Sequence, residues 1–203
     1  MKHEWRKKEK TLYQPKTEPC QVKVGPMVYF SIQGQGDPNQ AGFQKYIEVL
    51  YALSYAVRMS PKRQAQPKGY YEYTVYPLEG VWDLKDQKED GSFNKEDLVF
   101  DLMIRQPDFV TEEYFREMID FVRQKKNMCL LDQVVYKHVE EGDCVQVMHV
   151  GPFERESESF EKVHAFCLDH GLRRQSRAHR EIYLSDFRKV SPEKMKTVLR
   201  VKV

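Results

Sequence analysis

One order of strands and helices occurs twice in this sequence, and this repeat constrains the fold more than any other feature. VYFSIQGQGDP in the first half matches VQVMHVGPFER in the second, which aligns Gly34 with Gly151. A helical pattern follows each copy. The strand ending in YPLEG then corresponds to the strand ending in YLSDF, and LVFDLMIRQP corresponds to TVLRVKV. The sequence therefore predicts two β-α-β-β modules, over about residues 19–127 and 133–203, behind an N-terminal extension, residues 1–18.

A single module of this kind leaves half of its sheet uncovered. Its helix covers one face, and the other face stays open. Two modules joined edge to edge form one antiparallel sheet, with both helices on one face and a concave cleft on the other. We therefore predict one α+β domain over residues 19–203, with a ligand cleft, because small-molecule sites form in concave surfaces at internal interfaces.

Local patterns place the individual elements. Thr111 is a favourable N-cap residue, and the helix that it begins has an acidic first turn and an apolar stripe at Phe115, Met118, Ile119 and Val122. Residues 69–84 are predicted to be a strand, since aromatic and β-branched residues favour strands. KDQKEDGSFNKED is predicted to be a polar turn. Residues 133–153 predict a hairpin that turns at residues 141–143, and residues 1–18 are expected to wrap the surface or fray.

Composition excludes several classes of protein. The net charge is +2, and no run of about 18 apolar residues marks a membrane helix. The N-terminus lacks the apolar core of a secretory signal, and the four cysteines form no CxxC pair, so we expect a cytoplasmic protein. No histidine or cysteine spacing indicates a metal, GQGDP is not a phosphate loop, and no cofactor is expected. Both ends are basic, but no nucleic-acid-binding motif accompanies them, so a nucleic-acid partner is not expected.

The strand HREIYLSD carries the residues of greatest interest. Because side chains alternate across a strand, Ile182 and Leu184 are expected on the helix-covered face. His179, Glu181 and Tyr183 then point into the cleft. In the corresponding strand of the first module, the same alternation places Glu72 and Tyr76 on the cleft side, and Trp82 follows a bend at Gly80. Aromatic walls with a carboxylate suit flat, apolar or cationic ligands.

Structural explanations remain open for each of these residues. Aromatic residues on strands more often pack than bind ligands. Glu181 can form a structural ion pair near Arg180 or with one of Arg173, Arg174 and Arg177. Glu72 can simply be solvated.

Several long motifs resemble the GyrI-like small-molecule-binding family: EYTVYPLEGVWDL, LMIRQPDFVT, VMHVGPF, SFEKV and HREIYLSDFRKV followed by KTVLRVKV. The resemblance extends over about residues 3–203 and implies two SHS2-type modules. It also implies that Glu181 is the glutamate that meets cationic aromatic ligands in this family. No helix-turn-helix is attached, so the chain is similar to stand-alone members, among them the cyclopropanoid cyclopropyl hydrolases, which open the cyclopropane of DNA-alkylating compounds.

This resemblance implies an aromatic cage formed by Tyr76, Trp82 and Tyr183. In such a site Glu181 or Glu72 orients or deprotonates the attacking water, Tyr183 donates to the developing oxyanion, and His179 lines the site. Two other functions stay open at this point. The chain can be a passive module that sequesters aromatic or cationic drugs, or a protein-interaction module of the gyrase-inhibitor type.

Overall fold

A computed structural model describes residues 2–85, 94–186 and 189–203. The chain is α+β, and the eight strands within these residues pair antiparallel, as predicted. The strands are β1 Cys20–Val24, β2 Met27–Gln35, β3 Leu78–Leu84, β4 Leu98–Gln106, β5 Val135–Val139, β6 Gly142–Val150, β7 His179–Tyr183 and β8 Lys196–Lys202. The helices are α1 Trp5–Lys8, α2 Lys10–Tyr13, α3 Phe43–Arg58, α4 Glu112–Lys125 and α5 Glu156–Asp169. Most of the predicted polar turn KDQKEDGSFNKED lies outside the described residues.

The chain divides into two compact units. Unit 1 comprises Met1–Glu4, Met27–Leu78 and Leu84–Val139. Unit 2 comprises Trp5–Pro26, Glu79–Asp83 and Glu140–Val203. Unit 2 therefore combines an N-terminal segment with the C-terminal part of the chain, whereas unit 1 ends at Val139.

Unit 1 is built on the strand order β4-β2-β5. The helix α4 begins at the predicted cap, where the Thr111 side chain accepts a hydrogen bond from the backbone N–H of Tyr114 at 3.2 Å. Its buried side chains include Phe115, Met118 and Val122, three of the four predicted stripe positions. Phe115 packs against Phe30 of β2, with ring centroids 5.0 Å apart.

Unit 2 has the strand order β1-β6-β8-β7-β3. The helix α5 packs on this sheet through a cluster of buried side chains from β6, β8 and α5: Val145, Val147, Val163, Cys167, Leu199 and Val201. Apolar burial of this kind contributes about 25 cal/mol per Å². It fixes the side of the sheet on which α5 lies.

The hairpin predicted over residues 133–153 is wrong. β5 pairs with β2 in unit 1, whereas β6 pairs with β1 and β8 in unit 2. Both edges of β6 are therefore occupied, and β5 has no edge there to join. Glu141, the first of the three residues predicted to turn the hairpin, is buried and bonded to two arginines.

The N-terminal extension is packed rather than frayed over its two short helices. Trp5 and Tyr13 are both buried, with ring centroids 5.1 Å apart. Backbone carbonyls of this segment also accept bonds from the sheet, since Gln146 donates to Thr11 O at 2.6 Å and Arg200 donates to Leu12 O at 2.8 Å. The segment thus covers the face of the unit 2 sheet opposite α5.

The longest helix, α3, has 16 residues. Within the three described ranges, no helix has both the length and the apolar character needed to cross a membrane.

Candidate functional site

The register of three adjacent strands in unit 2 brings the predicted site residues together. His179 of β7 lies opposite Trp82 of β3, and Glu181 lies opposite Gly80 on one side and Leu199 of β8 on the other. Because Gly80 has no side chain, nothing on β3 stands directly beside the Glu181 carboxylate. Directly paired residues point to the same side of a sheet, so Glu181 shares the side of Leu199, which packs against α5.

The assignment of faces in β7 was therefore wrong. Glu181 points toward α5, and the face of Ile182 is the one covered by the N-terminal segment. Arg180, Glu181 and Ile182 are all buried. Since both faces of β7 are covered, apolar character at Ile182 does not identify the helix side.

A chain of hydrogen bonds links three of the predicted residues. The indole N–H of Trp82 donates to the Tyr183 hydroxyl at 2.8 Å. Tyr183 in turn hydrogen-bonds the Glu181 carboxylate. Burial, followed by the negative charge of Glu181, raises the pKa of Tyr183 well above its ordinary value. Tyr183 is therefore a neutral phenol that accepts from Trp82 and donates to Glu181.

His179 holds the other side of the carboxylate. Its Nε2 lies 3.0 Å from Oε1 of Glu181, and its ring meets Phe160 of α5 edge to face, with centroids 4.8 Å apart. The side chain of Glu181 is only 11% exposed. A carboxylate at this depth needs hydrogen-bond partners, and His179 and Tyr183 supply them without an arginine.

A second carboxyl group, Glu156 in the first turn of α5, lies next to this arrangement and was missed in the sequence analysis. It is buried, and burial together with the negative charges of Glu181 and Glu154 raises its pKa to about 9. Glu156 precedes Phe160 by four residues and Val163 by seven. That spacing extends the apolar stripe of α5 backward, which is the signal that could have found it. Together Trp82, Glu156, His179, Glu181 and Tyr183 are called the Glu181 cluster below.

The turn that leads into α5 sets the position of Glu156. Gly151 has φ +141°, a conformation open mainly to glycine, and its N–H donates to Met195 O at 3.0 Å. His149 bridges the turn, with Nδ1 2.9 Å from Ser159 Oγ and Nε2 3.0 Å from Pro152 O. The same turn carries Phe153, which meets Tyr183 edge to face at 6.0 Å and is 41% exposed.

The other two predicted residues, Glu72 and Tyr76, lie in unit 1. Apart from a bridge between Tyr73 and His3, residues 69–77 form no strand, and β3 begins only at Leu78. The strand predicted to begin at residue 69 is thus too long, and alternation does not determine the directions of Glu72 and Tyr76.

The surroundings of these two residues also differ from those of Glu181. Glu72 is exposed and forms an ion pair with Arg58 at 2.7 Å. Tyr76 is buried, with its hydroxyl 3.4 Å from His3 Nε2 and the Arg105 guanidinium 4.6 Å from its ring centroid.

Four of the six predicted residues thus come together in unit 2: Trp82, His179, Glu181 and Tyr183. Aromatic rings border a carboxylate and a carboxylic acid there, an arrangement that suits a flat ligand and proton transfer. Within the described residues, no three His, Cys, Asp or Glu side chains are grouped so that they could hold a metal ion.

The family model of the GyrI-like small molecule binding domain matches residues 17–203. The chain belongs to the GyrI-like family. No curated protein matches it. Two solved structures of hydrolases from Listeria innocua are similar to this GyrI-like chain. One is 37% identical, with a TM-score of 0.91 over 100% of this chain and 99% of that one; the other is 38% identical, with a TM-score of 0.89 over 98% of each.

A more distant similar structure is that of the C-terminal domain of EcmrR. It is 10% identical, with a TM-score of 0.56 over 91% of this chain and 96% of that one. At this identity the likeness concerns the fold alone.

Proposed function

We propose that the Glu181 cluster binds flat, aromatic or cationic xenobiotics and hydrolyses cyclopropanoid DNA-alkylating compounds. The protein would then act in the cytoplasm and protect the cell from these compounds. The observation that carries the proposal is the buried carboxylate of Glu181, held by His179 and Tyr183 and bordered by aromatic rings. Two hydrolases that are 37% and 38% identical to this chain support the type of reaction.

The reaction adds one water molecule. Water oxygen attacks a ring carbon, the strained carbon–carbon bond breaks, and its electron pair moves into the conjugated carbonyl, which becomes an oxyanion. Glu181 accepts the proton that the water loses. The aromatic rings hold the substrate flat, so that attack occurs in a defined orientation.

The hydrogen bonds of Tyr183 define its part in this scheme. Its proton goes to Glu181 and its oxygen accepts from Trp82, so in this arrangement it orients the carboxylate. The donation to the oxyanion that was predicted for Tyr183 requires the hydroxyl to exchange one acceptor for another.

Replacement of Glu181 with glutamine tests the proposal. Wild-type protein incubated with a spirocyclopropyl-cyclohexadienone should form the water adduct faster than buffer does. Glu181→Gln should form it at least about 100-fold more slowly, because the amide cannot take the proton. Mass spectrometry of the adduct measures the rate.

The control for this experiment is Glu158→Gln, which changes an exposed α5 carboxylate paired with Arg155 and should retain the wild-type rate. Equal rates for wild type and Glu181→Gln would remove Glu181 from the chemistry. Saturable binding without any adduct would instead favour a sequestering module.

Replacement of Trp82 separates its ring from its N–H group. Trp82→Phe keeps an aromatic surface but removes the donor to Tyr183, so hydrolysis should slow about tenfold, the value of one hydrogen bond. Binding of an apolar aromatic ligand, measured calorimetrically, should change little. Trp82→Ala should weaken both. Unchanged binding by Trp82→Ala would contradict a role for this ring in the ligand site.

For Glu72 and Tyr76 the ligand-binding role stays a prediction. A crystal structure with a bound xenobiotic would show whether either side chain contacts it.

A further inference from the structure

Glu156 is a buried carboxyl group to which the scheme above gives no role. It is 9% exposed. Among the residues that the structure describes, none forms a hydrogen bond with its Oε1. An unsatisfied buried polar atom costs free energy and requires an explanation, and a ligand that accepts a hydrogen bond supplies one.

The groups around Glu156 keep it protonated. Those that face it or its helix are Glu154 in the turn, His149 on β6, and His179, Glu181 and Tyr183 on β7. Burial first, and then the charges of Glu181 and Glu154, raise the pKa of Glu156 to about 9. A protonated carboxyl beside a second carboxyl group is the usual pattern of a paired acid and base.

Two of the donor protons in the Glu181 cluster already form hydrogen bonds within the protein. The Trp82 N–H is bonded to Tyr183, and the Tyr183 O–H is bonded to Glu181. The carboxyl of Glu156 is protonated and has an oxygen with no bond within the described residues. It is thus the group in the cluster that is suited to donate to a ligand.

We propose that Glu156 is the proton donor of the Glu181 cluster: it hydrogen-bonds a carbonyl oxygen of the bound ligand and protonates that oxygen when the cyclopropane opens. This inference rests on the proposed function and specifies its substrate class as flat conjugated compounds that bear a carbonyl group.

The protons balance in this step. Water gives a proton to Glu181 and a hydroxyl group to the ring carbon. The ring carbon–carbon bond breaks, its electrons move to the carbonyl oxygen, and Glu156 protonates that oxygen. Transfer of the proton from Glu181 to Glu156 then restores both groups, so that the net reaction is the addition of one water.

The first arm of the test measures hydrolysis of the spirocyclopropyl-cyclohexadienone against pH. Wild-type kcat/KM should fall tenfold per pH unit above about pH 9, as Glu156 loses its proton. Glu156→Gln should be about 100-fold slower at pH 7 and should lack this alkaline decline. A Glu156→Gln rate equal to wild type, or an unchanged decline, overturns the inference while leaving the proposed hydrolysis standing.

The second arm needs no turnover. Fluorenone and fluorene are flat and differ by one carbonyl oxygen, and wild type should bind fluorenone more tightly. Glu156→Leu should lose this preference, whereas Glu156→Gln, which still carries a donor, should keep it. Absence of the water adduct with wild type overturns the hydrolysis and the protonation step, and retention of the preference by Glu156→Leu overturns the donor role itself.

Discussion

Replacing Arg180 with methionine is expected to lower the free energy of unfolding by about 3–5 kcal/mol at pH 7, because it removes an arginine that is bonded to two buried carboxylates. Arg180 precedes Glu181 in β7 and is 2% exposed. Its guanidinium donates to Glu79 and to Glu141, each at 2.8 Å. Urea unfolding measures the loss.

Arg200 shares this network, since it donates to the other oxygen of Glu141 at 2.8 Å. Burial pushes the pKa of Glu141 upward, but the charges of Arg180 and Arg200 outweigh it and hold the pKa below its ordinary value. For Glu79 burial dominates, and its pKa is raised despite Arg180. Removing Arg180 therefore takes away the arginine that is hydrogen-bonded to Glu79 and leaves Glu141 with Arg200 alone.

A double variant distinguishes the cost of an unpaired buried charge from the cost of lost side-chain packing. Glu79→Gln combined with Arg180→Met should be more stable than Arg180→Met alone, because the amide carries no charge to desolvate. Arg155→Met, which breaks an exposed pair with Glu158, should leave stability unchanged within error. A loss below about 1 kcal/mol in Arg180→Met would show that this network does not stabilise the fold.

Features set by local sequence could be predicted. The cap at Thr111 and the stripe that follows depend on residues within one helix, and the cap and three of the four stripe positions are confirmed. The pairing of β1 with β6 in unit 2 and the pairing of β5 with β2 in unit 1 could not be predicted, because each joins strands that are distant in sequence. Nor does a polar N-terminal segment reveal that Trp5 and Tyr13 will be buried.

In the candidate site, too, local relations could be predicted and relations between distant segments could not. Alternation within β7 correctly grouped His179, Glu181 and Tyr183, because that relation is local. Which face was covered depended on α5 and the N-terminal segment, and alternation alone contains no such information. Glu156 was missed because a glutamate at a helix start is ordinarily exposed and favoured by the helix dipole; only its spacing from Phe160 indicated burial.

Replacing Glu156 with glutamine is expected to make the protein increasingly more stable than wild type as the pH rises. The pKa of Glu156 is about 9 in the folded protein against an ordinary 4.5, so the folded state holds a proton that the unfolded chain releases above pH 4.5. Wild-type stability should therefore fall as the pH rises toward 9 and level off above it. Between pH 6 and 9 the stability difference between Glu156→Gln and wild type should grow by up to about 4 kcal/mol.

Urea unfolding of both proteins at intervals across this pH range measures the difference, which cancels the titration of groups that both proteins share. Glu158→Gln is the matched control, because Glu158 hydrogen-bonds Arg155 and its pKa is lowered, so its stability curve should run parallel to wild type above pH 6. Parallel curves for Glu156→Gln and wild type would instead show that Glu156 is already ionised at neutral pH in the folded protein. A glutamate in that state has no proton to give, so this measurement also tests the proposed role of Glu156 as a proton donor, and it needs no substrate.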